Sequence, residues 1–159
     1  ALLNLIKMLK KIFVFALIGF GILCFDACKK GPSQAEKDQE LIEAYILENN
    51  LETTKTESGL HYIIYEEGDD NHPNYNSLII ARYKGYLLDG TVFDDGSSEL
   101  ETYLGYMIQG WIEGLQLIGE GGKMLLIVPS GLGYGDVDQS RIPANSVLVF
   151  EVTLLQVYS

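Results

Sequence analysis

The residue pattern of this chain specifies an α+β fold: an antiparallel half-barrel sheet wrapped over one short helix, preceded by an N-terminal helix. Three stretches carry that expectation. Around the only tryptophan, Ile108, Trp111, Leu115 and Ile118 follow one another at steps of three and four, the spacing of one apolar helical stripe. Upstream, Leu78 to Leu88 reads as a strand running into Asp89-Gly90, a two-residue hairpin signal, with a partner strand from Thr91. Downstream, Met124 to Val128 is an unbroken apolar run, and Leu148, Phe150, Val152 and Leu154 share one face of a strand whose other face carries Glu151 and Thr153. With strands on both sides of it, the helix covers the open face of the sheet.

Taken in order, the chain begins with a targeting segment. Lys7, Lys10 and Lys11 precede an apolar run from Ile12 to Phe25, too short and wrongly flanked for an ordinary membrane span, so residues 1–27 are expected to be a signal peptide. The run leads to Ala27-Cys28, a small residue before a cysteine, which resembles a bacterial lipoprotein signal and implies that Cys28 becomes the lipidated first residue. Cys24 follows Leu23 and fits less well. Cleavage before Cys28 leaves one cysteine, so no disulfide forms within the chain even in an oxidising compartment. The alternative is an incidental thiol beside an uncleaved anchor; both readings tether the chain to a membrane. The full sequence has a net charge of −11, and loss of three lysines and one aspartate leaves 8 basic against 21 acidic groups, or −13. A body that acidic gives no sign of nucleic-acid binding and is repelled by anionic headgroups, so the tether rather than the surface holds it there. The expected location is the bacterial cell envelope, lipid-anchored and facing the periplasm.

Residues 28–57 read as lipid anchor, spacer helix and linker. After Gly31-Pro32, Ser33 with Glu36 three residues on forms a capping box. Leu41, Ile42, Tyr45 and Ile46 then make an apolar stripe on an acidic segment ending at Asn49-Asn50. That stripe either packs on the following domain or forms a surface for a partner or second copy. Glu52 to Ser58 is polar and reads as linker.

The domain expected over 58–159 opens with the alternating strand Leu60 to Tyr65. Glu66 to Ser77 is a polar surface loop whose Asp69 and Asp70 lack the ligand spacing of a calcium loop. His61 and His72 stand alone, without partners at metal-ligand spacing, so no metal site is expected. Five aromatics remain: Tyr83, Phe93, Trp111, Tyr134 and Phe150. All could be core. Against that stands Ser130 to Ser146, a long aperiodic segment between strong strands, the kind of loop that is functional or disordered. Its Tyr134, Ile142 and Pro143 suit a lip over an apolar pocket floored by Trp111.

Four motifs settle the family resemblance: Tyr83-Lys-Gly-Tyr-Leu-Leu-Asp-Gly-Thr-Val-Phe93-Asp94, Leu104-Gly-Tyr-Met-Ile-Gln-Gly-Trp111-Ile-Glu-Gly, Gly131-Leu-Gly-Tyr134-Gly, and Ile142-Pro-Ala-Asn-Ser-Val-Leu-Val-Phe150-Glu-Val. In this order and spacing, over residues 58–159, they resemble the FKBP family of peptidyl-prolyl isomerases. The lipoprotein start and the helix at 33–50 look like those of its membrane-tethered bacterial members. The resemblance implies an FKBP-like half-barrel, no cofactor, proline-containing client polypeptides and FK506-like macrolide ligands. It further implies that Trp111 floors the pocket, that Tyr83, Phe93, Phe150 and Ile142 wall it, and that Leu100, Met107 and Ile108 contact substrate. The Ile108 N–H and Tyr134 phenol would bond client carbonyls, and Asp94 would sit at the rim bonded to Tyr83. Three departures from the family pattern stand out: Leu100 where many members have an aromatic, Met107 where valine is common, and a shortened Asp136–Arg141 segment.

Conventional catalysis is a poor alternative, because the two histidines are isolated and Gly131-x-Gly133-x-Gly135 lacks the spacing and basic residue of a phosphate loop. A tethered chaperone or scaffold that keeps the fold with little isomerase activity is the competing reading.

Overall fold

The computed structural model describes residues 31–159; the expected signal segment and Cys28 lie outside them. Seven strands, β1 (Thr54–Lys55), β2 (His61–Glu66), β3 (Leu78–Leu87), β4 (Val92–Asp94), β5 (Leu100–Tyr103), β6 (Lys123–Val128) and β7 (Leu148–Tyr158), form one sheet. All pair antiparallel in the order β1-β2-β6-β7-β3-β4, with β5 also on β3. Helix α1 (Gln34–Glu48) precedes the sheet and α2 (Gln109–Gly114) crosses it.

The sheet is buried on both faces at its centre, which explains why β6 reads as a run rather than an alternation. Met124, Leu126 and Val128 point into the main core with Leu148, Phe150, Val152, Leu154, Trp111, Leu115 and Ile118. Leu125 and Ile127, one residue out of step, join Val149 and Ile42 of α1 in a second core on the opposite face. The α1 stripe therefore packs on the domain. Leu41 departs from the expected stripe and is 51% exposed, because it lies about 100° round the helix from the fully buried Ile42. Asp38, one turn before Ile42, takes that buried place instead. The capping box at Ser33 and Glu36 forms as expected.

Two local readings change. The polar stretch 52–58, expected as linker, contains β1, which pairs Thr54 with Tyr62 and Lys55 with His61, and Pro32–Ser159 form one compact unit. The hairpin after β3 holds three residues rather than two: Leu87 N–H donates to Thr91 C=O, and its own C=O accepts from Gly90 N–H. Gly90, at φ 85°, supplies the left-handed position this arrangement needs. In β7 the alternation holds to Leu154, where a bulge shifts the register between Ile80 and Ala81 and returns Val157 to the core.

His61 is a structural histidine. It is 6% exposed beneath α1, with Nδ1 at 3.0 Å from Thr53 Oγ1 and Nε2 at 3.1 Å from Gln39 Oε1. Burial, with Lys55 near, pushes its pKa below the usual imidazole range. The folded state then binds fewer protons than the unfolded one, so this contribution is complete above the unfolded value of about 6.5 and is lost as pH falls below it. The thermal midpoint should drop between about pH 7 and 5, and less so in His61→Gln; a level midpoint in the wild type contradicts this account.

Candidate functional site

The site is assembled where β3, β4, β7 and α2 meet. Tyr83 of β3 points inward beside Phe150 of β7, and the indole of Trp111 stands edge-on to both, at 4.9 Å and 87° from Tyr83 and at 5.5 Å and 85° from Phe150. Phe93 of β4 closes the group at 5.6 Å and 77° from Phe150. Edge-to-face contact at these separations is the preferred geometry of aromatic pairs, so the four rings brace one another. Gly85, opposite Phe150 in the β3–β7 pairing, is what admits the Phe93 ring; a Cβ there would overlap it.

Helix α2 is seated by two glycines. A Cβ at Gly110 would lie 2.6 Å from Val128 Cγ1, and one at Gly114 2.5 Å from Leu126 Cδ2. Their absence lets α2 lie close on β6 and sets the depth of Trp111, which is 1% exposed. Trp111 Nε1 is the buried side-chain nitrogen or oxygen left without a hydrogen-bond partner among the described residues. Such a donor costs about 1–3 kcal/mol while it stays unmatched.

Above the indole lies a concavity of about 120 Å³ lined by Tyr83, Phe93, Asp94, Met107, Ile108, Trp111, Tyr134 and Phe150. Asp94 Oδ2 accepts from the Tyr83 phenol at 2.6 Å, and its Oδ1 accepts from Gly96 N–H at 3.1 Å. Burial and this bond hold the Tyr83 pKa far above the usual phenol range, so Tyr83 stays a neutral donor. Ile108 C=O accepts from Trp111 and Ile112 to open α2, while its own N–H enters none of the turn and cap bonds among the described residues. Tyr134, 40% exposed, hangs over the rim from the loop after β6.

Eight of the ten expected pocket residues thus come together. Ile142 is buried in the main core, which also holds Trp111 and Phe150, and Leu100 packs against that core from β5, opposite Ala81 of β3, so both stand behind the residues that line the concavity. Sequence reasoning missed Asp38 and Gln39, polar groups of α1 that face the domain, and Ser130, which bonds Asp38. A polar residue one turn before the buried Ile42 was the available signal.

The concavity thus sets four aromatic rings together with Met107 and Ile108, and adds the hydrogen-bonded Tyr83–Asp94 pair and the Tyr134 phenol. The family model for the FKBP-type peptidyl-prolyl cis-trans isomerase matches residues 69–155, and the chain belongs to that family. It is 38% identical over 146 residues to the FKBP-type peptidyl-prolyl cis-trans isomerase FkpA of Escherichia coli K12, covering 84% of this chain and 53% of FkpA. The crystal structure of FkpA from Escherichia coli superposes with a TM-score of 0.69 at 34% identity, over 78% of this chain and 62% of that one. A peptidyl-prolyl cis-trans isomerase from Pseudomonas syringae gives a TM-score of 0.67 at 25% identity, over 81% and 99% of the two chains. The chain spans about half the length of the curated FkpA relatives it matches.

Proposed function

We propose that this chain is a peptidyl-prolyl cis-trans isomerase for X–Pro bonds of exported proteins, held at a membrane of the bacterial cell envelope by lipid on Cys28. The observation that carries the activity is the aromatic concavity lined by Trp111, Tyr83, Phe93 and Phe150, with the Tyr83–Asp94 bond and the Tyr134 phenol beside them.

Rotation about an X–Pro bond must break amide resonance against a barrier of about 18–20 kcal/mol. The planar amide is more charge-separated than the twisted one, so surroundings without water favour the transition state over the ground state. Tyr83, Phe93, Trp111 and Phe150 supply those surroundings, with Met107 and Ile108 bordering the ring. The Tyr134 phenol and Ile108 N–H hold client carbonyls on either side, and Asp94 fixes the Tyr83 ring that walls the pocket. Leu100 and Ile142 support the wall from the core. An FK506-like macrolide would compete for the same concavity.

The test is a protease-coupled or magnetisation-exchange assay of cis to trans isomerisation on residues 31–159. Acceleration inhibited by an FK506-like macrolide supports the reading; a folded wild type without acceleration rejects it in favour of a holding scaffold. Tyr134→Phe should lower kcat/KM about tenfold, the worth of one hydrogen bond. For the tether, mass spectrometry of the membrane fraction should find an acylated Cys28, and Cys28→Ser should release the chain; an unmodified cysteine on a membrane-bound chain rejects the anchor.

No helix among the described residues is long and apolar enough to cross a membrane.

A further inference from the structure

Asp38 is a buried carboxyl group that the isomerisation chemistry does not use. It lies on α1 and is 1% exposed. Its Oδ2 accepts from the Ser130 backbone N–H at 2.8 Å and from the Ser130 hydroxyl at 2.6 Å, and its Oδ1 accepts from Gln34 Nε2 at 2.7 Å. A buried carboxyl has to be matched by donors, and here the chain supplies two of them from a residue 92 positions away.

Ser130, also buried, opens the one-turn 3-10 helix Ser130–Leu132 that leads to Tyr134. Its C=O accepts from Gly133 N–H at 3.0 Å and from Gly135 N–H at 2.9 Å. The residues on either side of Tyr134 are therefore tied to the one residue that Asp38 holds. Gly135 C=O in turn accepts from Asn145 N–H at 2.7 Å, fastening the far end of the same loop. A buried polar network with every member satisfied selects one backbone arrangement.

We propose that Asp38 is a positioning residue for isomerisation: from the N-terminal helix it fixes Ser130, and through Ser130 the loop that presents the Tyr134 phenol over the concavity. This rests on the isomerase function above, with Tyr134 bonding the client. Helix α1 is then a working part of the catalytic unit rather than a spacer. Its attachment does not depend on Asp38 alone, because Ile42 stays buried against Leu125, Ile127 and Val149, and Gln39 still bonds Gly59 C=O at 2.9 Å.

The experiment is a double-mutant cycle on the full chain, kcat/KM being measured for wild type, Asp38→Ala, Tyr134→Phe and the double variant, with amide hydrogen exchange at Gly133 and Gly135 alongside. Asp38→Ala should lower kcat/KM about fivefold when Tyr134 is present and under about twofold in the Tyr134→Phe background. Exchange at Gly133 and Gly135 should quicken while β6 and β7 keep their protection. Asp38→Asn, which retains an acceptor for Ser130, should restore most of the rate. Equal losses in both backgrounds, or a folded Asp38→Ala with unchanged kcat/KM, overturn the proposal. Should Asp38→Ala fail to fold, Ser130→Ala must show a loss of about twofold that disappears with Tyr134→Phe, and an additive loss overturns it. A wild type that does not isomerise defeats the function instead; unchanged exchange at Gly133 and Gly135 in Asp38→Ala then defeats the positioning role separately.

Discussion

Trp111→Leu is expected to lower kcat/KM for proline peptides by about 100-fold, equivalent to about 2.7 kcal/mol of transition-state stabilisation. The indole floors the concavity, and leucine offers neither its flat face nor the edge contacts it makes with Tyr83 and Phe150. From the sequence alone this substitution is expected to spare most of the fold. The structure adds a second effect, since the indole is wholly buried in the main core alongside Leu115 and Leu126. Filling that space with a smaller side chain should cost about 2–3 kcal/mol through lost contacts and the cavity left behind. The thermal midpoint should fall by roughly 5–15 °C for a domain of this size. Trp111→Phe separates the two effects, retaining an aromatic floor and more of the packing. Thermal unfolding with parallel kinetics checks both; a Trp111→Leu variant with wild-type kcat/KM removes the indole from the site.

Gly110→Val should be the most damaging single change on the helix that carries the site. Its Cβ would lie 2.6 Å and 2.9 Å from the two methyl carbons of Val128, a β-branched side chain in the middle of the sheet that has no free end to move aside. Relief requires α2 to rise off β6, which costs about 1–3 kcal/mol in overpacking and more if the strand shifts. Lifting α2 also lifts Trp111, so kcat/KM should drop together with stability. Gly131→Val is the control, because nothing lies within 4 Å of a Cβ there. Chemical denaturation of both variants decides: equal midpoints for the two would mean that the Gly110 approach is not what seats the helix.

Much of this molecule is written in local pattern. The alternation of Leu148 to Leu154 reports its strand by the period at which apolar groups must recur to share a face, and the capping box at Ser33 reports the start of α1. The expected stripe of Ile108, Trp111, Leu115 and Ile118 is only partly one helix, since α2 ends at Gly114, Leu115 lies in the 3-10 turn that follows, and Ile108 and Ile118 are extended residues at the two ends. The aromatic set is legible for a related reason: the motifs carrying Tyr83, Phe93, Trp111, Tyr134 and Phe150 are contiguous stretches of recognisable residue types, and the fold brings all five to one concavity. The exact hairpin after Leu87 was not legible, since Asp89-Gly90 fits a two-residue loop as well as the three-residue one that forms. For Leu100 and Ile142, which lie against or within the main core, membership of a motif does not say whether a side chain faces the cavity or the packing behind it.

By itself, then, the sequence determined the N-terminal helix, the long strands and their apolar faces, which depend on residues within a few positions of one another, and the family, which depends on four short contiguous motifs. Only the tertiary structure decided that 34–48 and 54–55 belong to the same body as the sheet, that Asp38 is buried, and that it reaches Ser130 and the Tyr134 loop across 92 positions. The reason is physical. A strand shows one apolar face through its period, but whether its second face is covered depends on which distant helix arrives there. A carboxyl group on a helix looks solvated until the donors that satisfy it are brought in from the far end of the chain.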